Sequence, residues 1–321
     1  MDRFARVSKA LNPTAARRGI SLASLLAGGK GWPLGRYLAR CLPLEQRRAA
    51  AAGLLAGDAV DLSFEANGVR WTADVGTDML CLELVTTGGY QAAEVAAVLA
   101  WLTEHRAGHS VLIDVGANIG TTTVPFAMSG YRTVSIEPVP NTFRLLETNV
   151  RQNGLSDQVT CVQTAITNDG ATAEMWLTAA SGVSEIAGTG EPGFHAQSGH
   201  FVPRERIEVP AARLGDVLAA HGINAKDVAI VWSDTQGCEA GVIETGTPLW
   251  KEGVPLYVEI WPVGLAAQGS VEQFVDLARG HFTGFIPKCD LVSGRHAPKP
   301  ISGFEQWIGS VDDFSDALMI P

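Results

Sequence analysis

Four carboxylates each close a short apolar run: Asp114 after Val111-Leu-Ile, Glu137 after Thr133-Val-Ser-Ile, Asp234 after Val228-Ala-Ile-Val-Trp-Ser, and Glu259 after Leu256-Tyr-Val. The first opens the segment Asp114-Val-Gly116-Ala117-Asn118-Ile-Gly120-Thr121. Gly116 lets the chain turn without a Cβ clash, and small residues let backbone approach a ligand closely. Backbone N–H groups at a helix start favour an anion, while Asp114 can hold an ammonium directly or through water. The segment therefore suits a ligand with both a carboxylate and an ammonium. Glu137, 21 residues after Gly116, has the spacing at which an acid accepts two hydrogen bonds from a ribose diol in dinucleotide folds. The pair fits either a nicotinamide cofactor or S-adenosylmethionine. The dinucleotide fingerprint is GxGxxG, and the run Gly-Ala-Asn-Ile-Gly departs from it, which disfavours a pyrophosphate site. The plainer alternative is a glycine-rich turn beside a surface Glu.

The second acidic segment is Trp232-Ser-Asp234-Thr-Gln-Gly237-Cys-Glu239. Asp234 and Glu239 flank a turn that opens into a helix, the edge where an acceptor would meet the cofactor. Glu259, in Val258-Glu-Ile-Trp-Pro262, points to the same edge. Bland readings are available: Asp234 as a helix cap and Glu239 as a solvated side chain. His195 and His200 compete as bases, since an unperturbed imidazole titrates near pH ~6.5. The acids at this edge leave a divalent metal open, but no binding loop marks one and no ligands are assigned.

The elements that must position these residues alternate between strand and helix. Strands are expected at Val111–Val115, Thr133–Ile136, Val159–Ile166, Val228–Ser233 and Leu256–Ile260, with closing strands at Phe282–Pro287 and Ala317–Ile320. Between them the spacing predicts helices at Gly89–Arg106 and from Gly120 towards Ser129. Another starts at Pro140 with Phe143, Leu146 and Val150 on one face, and Gly154 ends it. A helix over Gly237–Glu244 closes at Gly246, and one with a Ser270/Gln273 capping box reaches Ala278, with Gly280 past its end. Residues 62–86 alternate as one or two strands, and residues 178–206, rich in Gly, Ser and Pro, read as a long binding loop. Such alternation implies a mainly parallel sheet with ligands at the carboxyl ends of its strands.

The charge of −10 disfavours nucleic acid as a partner, because phosphate would be repelled. Residues 1–48 invert this balance, with ten Lys or Arg against Asp2 and Glu45, about +8 against about −18 for the remainder. They fit a peripheral contact with an anionic membrane or a protein, or a solvated helical cap. Arg17-Arg18 resembles a twin-arginine signal, but Lys30 interrupts the apolar stretch early, so a cytoplasmic chain is expected. The five scattered cysteines, without CxxC spacing, fit reduced thiols. Trp232, Trp250, Trp261 and Trp307 suit either sugar stacking or core packing.

Together these runs resemble the FkbM family of methyltransferases: Val111-Leu-Ile-Asp-Val-Gly-Ala-Asn-Ile-Gly120-Thr-Thr-Thr, Glu137-Pro138, Asp234-Thr-Gln-Gly-Cys-Glu239 and Val258-Glu-Ile. The resemblance spans roughly residues 75–321. It implies an α/β, Rossmann-like class I methyltransferase fold, with a mainly parallel seven-stranded sheet and helices on both faces. A basic helical extension (1–60) and a lead-in (61–110) would precede a catalytic domain at 111–321. It also implies S-adenosylmethionine as cofactor. Asp114, Gly116, Ala117, Asn118, Gly120 and Thr121 would line the methionine end, Glu137 and Pro138 the ribose, and Thr164 and Ala165 the adenine. Asp234, Glu259 and Glu239 would serve catalysis. The reaction implied is methyl transfer to a hydroxyl of a sugar, glycan or secondary metabolite. Trp232 stands where the family usually has Lys. A nicotinamide-dependent oxidoreductase and a non-catalytic cofactor-binding scaffold are the competing readings.

Overall fold

The computed structural model describes residues 61–74, 80–81, 83–84, 88–178, 185–186, 203–268 and 271–321. The basic extension 1–60, His195, His200, Ser270 and most of the loop 178–206 lie outside the described residues. The described residues up to Tyr90 fall in one unit and those of Gln91–Pro321 in another. In the first, β1 (Asp61–Ala66) and β2 (Val69–Asp74) pair antiparallel. Their turn is Asn67-Gly68, with φ of 51° and 77°, the left-handed pair that a two-residue hairpin needs.

The second unit begins with α1 (Ala92–His105). Its residues Val95, Val98, Trp101 and Leu102 pack with Leu112 and Ile230 of the central sheet. The chain continues through β3 (Val111–Val115), α2 (Thr123–Met128), β4 (Arg132–Ile136), α3 (Pro140–Gln152) and β5 (Val159–Val162). After an excursion into a second sheet come α4 (Leu214–Ala220), β10 (Val228–Ser233), α5 (Glu239–Thr245), α6 (Thr247–Lys251), β11 (Leu256–Ile260), α7 (Pro262–Ala267) and α8 (Val271–His281). β12 (Gly284–Pro287), α9 (Lys288–Val292), β13 (Lys299–Pro300), α10 (Phe304–Ile308) and β14 (Ser315–Ile320) complete it.

The central sheet has the order β13-β12-β14-β11-β10-β3-β4-β5. β11, β10, β3, β4 and β5 run parallel, and β14 is inserted antiparallel between β11 and β12. This is the expected mainly parallel sheet, with eight strands where seven were expected, because the two-residue β13 adds an edge. β3, β10 and β11 are buried throughout, which is why they read as unbroken apolar runs and not as alternations. One face packs on α1, α2 and α9, the other on α4, α5, α6, α8 and α10.

Four local readings need correction. The strand expected over Val159–Ile166 breaks after Val162, and β6 (Ala165–Ile166) joins a second sheet of order β6-β9-β7-β8. That sheet contains β7 (Thr172–Thr178), β8 (Glu185–Ile186) and β9 (Pro203–Ala212), so the region 178–206 is not wholly loop. Its pattern is an alternation: Ala173, Met175 and Leu177 face Ile207, Val209 and Ala211 in one apolar cluster. Gly280 lies inside α8, and Gln273 donates its amide to Glu244 (3.1 Å). On α3, Phe143 is only half-buried; the buried stripe is Thr142, Leu145, Leu146, Asn149 and Val150. Trp232, Trp250 and Trp261 are buried, so packing accounts for them. Among the described residues no helix is long and apolar enough to cross a membrane.

Candidate active site

The parallel strands β4, β3, β10 and β11 deliver their carboxyl ends side by side, and each ends in one of the acids picked out above. Glu137 follows β4, Asp114 is the last residue but one of β3, Asp234 follows β10, and Glu259 is near the end of β11. From the antiparallel β14, Asp316 pairs in register with Glu259.

Between β3 and α2 the chain turns through Gly116 (φ 83°), Asn118 (φ 52°) and Gly120 (φ 94°). The N–H groups of Gly116 and Ala117 both donate to the carbonyl of Ile136 at the end of β4 (3.0 and 2.9 Å), which pins the turn beside Glu137. Asn149 of α3, fully buried, donates its amide to the carbonyl of Ile119 (2.8 Å). Below the turn, the Thr123 hydroxyl donates to Asp114 (2.6 Å) and also contacts the Ser135 hydroxyl (2.7 Å). Thr121 and Ala117 are buried, and Pro138 is half-buried.

Glu137 is buried, so it is not a surface Glu. Its two carboxylate oxygens accept the N–H groups of Asn118 (3.0 Å) and Val139 (2.9 Å). Burial pushes its carboxyl up to about 7 against these hydrogen bonds, and the charges of Asp114 and Asp234 add to the rise. Burial likewise pushes Asp114 up to about 7 against its bond from Thr123.

The 234–239 turn joins the remaining acids. Asp234 does not cap α5, whose N-cap is Cys238. Instead the Gln236 amide donates to both Asp234 (2.8 Å) and Glu259 (3.0 Å), and Gln236 adopts φ 55° to reach them. Burial, followed by the charges of Asp234 and Glu239, raises Glu259 well above the ordinary carboxyl range. Asp234 is raised by burial and held down by the hydrogen bonds from Gln236 and Glu259. Burial thus favours the protonated form at both carboxyls, while the hydrogen bonds from Gln236 and Glu259 oppose it at Asp234. Glu239 is fully buried, which excludes a solvated side chain. One of its oxygens accepts from Thr235 N–H (3.0 Å), Thr235 hydroxyl (2.9 Å) and Gly237 N–H (3.3 Å). Its other oxygen is buried without a partner.

Thr164 and Ala165 are buried where β5 gives way to β6, and the Thr164 hydroxyl donates to the Pro210 carbonyl (3.2 Å) of the second sheet. Sequence reasoning missed Gln236, Asn149, Thr123, Asp316 and Lys288. At the position where the resemblance leads one to expect Lys, Trp232 packs against Tyr257, the rings tilted by 33° with their centres 4.1 Å apart. The cation near these acids is Lys288, contributed by α9.

The residues fit S-adenosylmethionine. The buried Asn118 Oδ1 has no partner within the protein and is free to accept from an ammonium. Each Glu137 oxygen keeps a lone pair for a ribose hydroxyl.

Among solved structures the chain is similar to P. horikoshii TYW2 in complex with MeSAdo, at 14% identity and a TM-score of 0.40 over 95% of this chain and 97% of that one. It is also similar to M. jannaschii TYW2 in complex with AdoMet, at 10% identity and a TM-score of 0.39 over 82% and 85%. A third is geranyl diphosphate C-methyltransferase from Streptomyces coelicolor A3(2), at 10% identity and a TM-score of 0.36 over 70% and 78%. No curated protein matches the chain. Residues 114–272 match the model of the methyltransferase FkbM domain, a span that takes in Asp114, Glu137, Asp234, Glu239 and Glu259. The chain therefore carries a methyltransferase FkbM domain over about half of its length.

Proposed function

We propose that the chain transfers a methyl group from S-adenosylmethionine to a hydroxyl on a sugar, glycan or secondary metabolite, with Asp234 as the base. The observation that carries this reading is the seam between β3 and β10. The Asp234 N–H donates to the Val115 carbonyl (3.0 Å), so the turn suited to the methionine end and the acid pair suited to the acceptor share one wall. When bound, S-adenosylmethionine supplies an electrophilic methyl carbon on a cationic sulfur. Asn118 and the backbone after β3 would hold its amino-acid end, Glu137 its ribose diol, and Thr164 and Ala165 its adenine.

Asp234, charged and steadied by Gln236, takes the acceptor's O–H proton as the acceptor oxygen gains the methyl group. A base so placed accelerates proton transfer by about 10²–10⁴-fold. Protonated Glu259 cannot take that proton; it orients Asp234 by donating to it. Glu239 ties Thr235 and Gly237 together and so shapes the turn. The buried acids along this edge, with the charge of −10, oppose a phosphate-rich acceptor such as nucleic acid.

Calorimetric titration of the chain with S-adenosylmethionine, S-adenosylhomocysteine and NAD, beside Glu137→Ala, tests the cofactor. Binding of both sulfur nucleotides, weakened in the variant, is expected. Binding of NAD alone would replace the reading with an oxidoreductase. Binding without turnover on any acceptor would replace it with a scaffold.

A further inference from the structure

Around Asp234 the edge of the sheet is crowded with acids. Asp114 faces it from β3, Glu137 from the end of β4, Glu239 from α5, Glu259 from β11 and Asp316 from β14. The Tyr257 phenol of β11 is buried without a partner and pushed far above its ordinary range by burial, so it brings no compensating charge. Buried like charges cannot all ionise together. A carboxylate serving as base in this company needs a cation close by.

The fold brings one from another part of the chain. Lys288 is the first residue of α9, immediately after β12. Because β12 pairs with β14 through Pro287 and Ala317, Lys288 arrives beside Asp316. Its Nζ lies 2.6 Å from Asp316 Oδ2 and 3.6 Å from Glu94 Oε1 of α1. Asp316 pairs in register with Glu259, and Glu259 shares the Gln236 amide with Asp234. Lys288 thus stands two strands beyond Glu259, at the end of a row of polar side chains along this edge of the sheet. Burial works to lower its own pKa, yet Asp316 and Glu94 carry it above the ordinary lysine value, so the cation persists.

We propose that Lys288 is a positioning residue for the reaction: anchored by Asp316 and Glu94, it keeps Asp234 in the ionised form that takes the acceptor's proton. This rests on the assignment of Asp234 as base. A merely structural staple between α1, α9 and β14 would have the same distances but no hold on Asp234.

NMR titration of the full chain labelled at Asp Cγ separates the two. The Asp234 signal is identified by its loss in Asp234→Asn. In Lys288→Met its midpoint is expected to rise by about one pH unit or more, and in Lys288→Arg to return towards wild type. An unmoved midpoint in a folded Lys288→Met chain would overturn the proposal. Should that variant fail to fold, the wild-type chain labelled at Lys Cε decides. The Lys288 signal, identified by its loss in Lys288→Arg, should step at the Asp234 midpoint, and the step should vanish in Asp234→Asn. No such step would overturn the proposal. Cofactor titration on the same samples keeps the questions apart: coupling without binding refutes the methyltransferase reading alone, and binding without coupling refutes the role of Lys288 alone.

Discussion

The Cβ that Gly116 lacks would stand 1.9 Å from the backbone carbonyl oxygen of Asp234. The two turns, after β3 and after β10, are therefore in contact through backbone, and Gly116 is also at φ 83°. Gly116→Ala should strain its own turn and push the Asp234 segment outward, since a non-glycine residue in this region costs on the order of 1–3 kcal/mol before any clash. Thermal unfolding should show a lower midpoint, and calorimetry a loss of S-adenosylmethionine affinity of about tenfold or more. An unchanged affinity would mean the cofactor does not lie against this wall.

Asp234→Asn should lower methyl transfer by about 10²–10⁴-fold while leaving cofactor affinity within a few-fold, measured by single-turnover kinetics and calorimetry. Gln236→Leu unties Asp234 from Glu259 without removing either acid. Its expected effect is a smaller loss of turnover, again with cofactor affinity kept. Full activity in Asp234→Asn would remove Asp234 as base.

Stability of the ligand-free chain should fall as pH rises through neutrality. Asp114, Glu137 and Glu239 are each pushed up to about 7, and Asp316 to about 6, by burial first of all. In the unfolded chain these carboxyls titrate near ~4, so between about pH 4.5 and 7 the folded chain binds more protons and loses stability with each increment of pH. Unfolding midpoints should be higher near pH 5 than near pH 8, and Glu239→Gln should flatten the difference. A midpoint that rises over this range would contradict the burial of these acids.

Asn149→Leu should weaken the cofactor turn without touching the ligand. The buried amide satisfies the Ile119 carbonyl, and leaving that oxygen unpaired costs about 1–3 kcal/mol. Chemical denaturation should record the loss, together with reduced cofactor affinity. Wild-type stability would show that the carbonyl finds another partner.

Much of the site was legible along the chain because each strand end carries its own signature. Asp114 and Gly116 lie in one strand-turn run, Glu137 closes the next apolar run, and Asp234 and Glu259 close two more. The order β3-α2-β4 and the parallel sheet follow from periodicity, so the neighbourhood of these acids was readable in advance. β7 and β9 went unread, although Ala173 to Leu177 and Ile207 to Ala211 alternate in type. Their neighbouring glycines and prolines hid them.

What the chain order could not reveal was which side chains complete the acids. Gln236 meets Glu259 across 23 residues, Asn149 reaches Ile119 across 30, and Lys288 meets Glu94 and Asp316. Local pattern records burial and backbone conformation, because each residue's own type sets those preferences. Which acid keeps a proton depends on burial and on charges arriving from strands distant in sequence. That is why Glu137 and Asp234 were readable as acids from sequence, while their protonation, and the lysine that bears on it, were decided only when β10, β11, β14 and α9 came together.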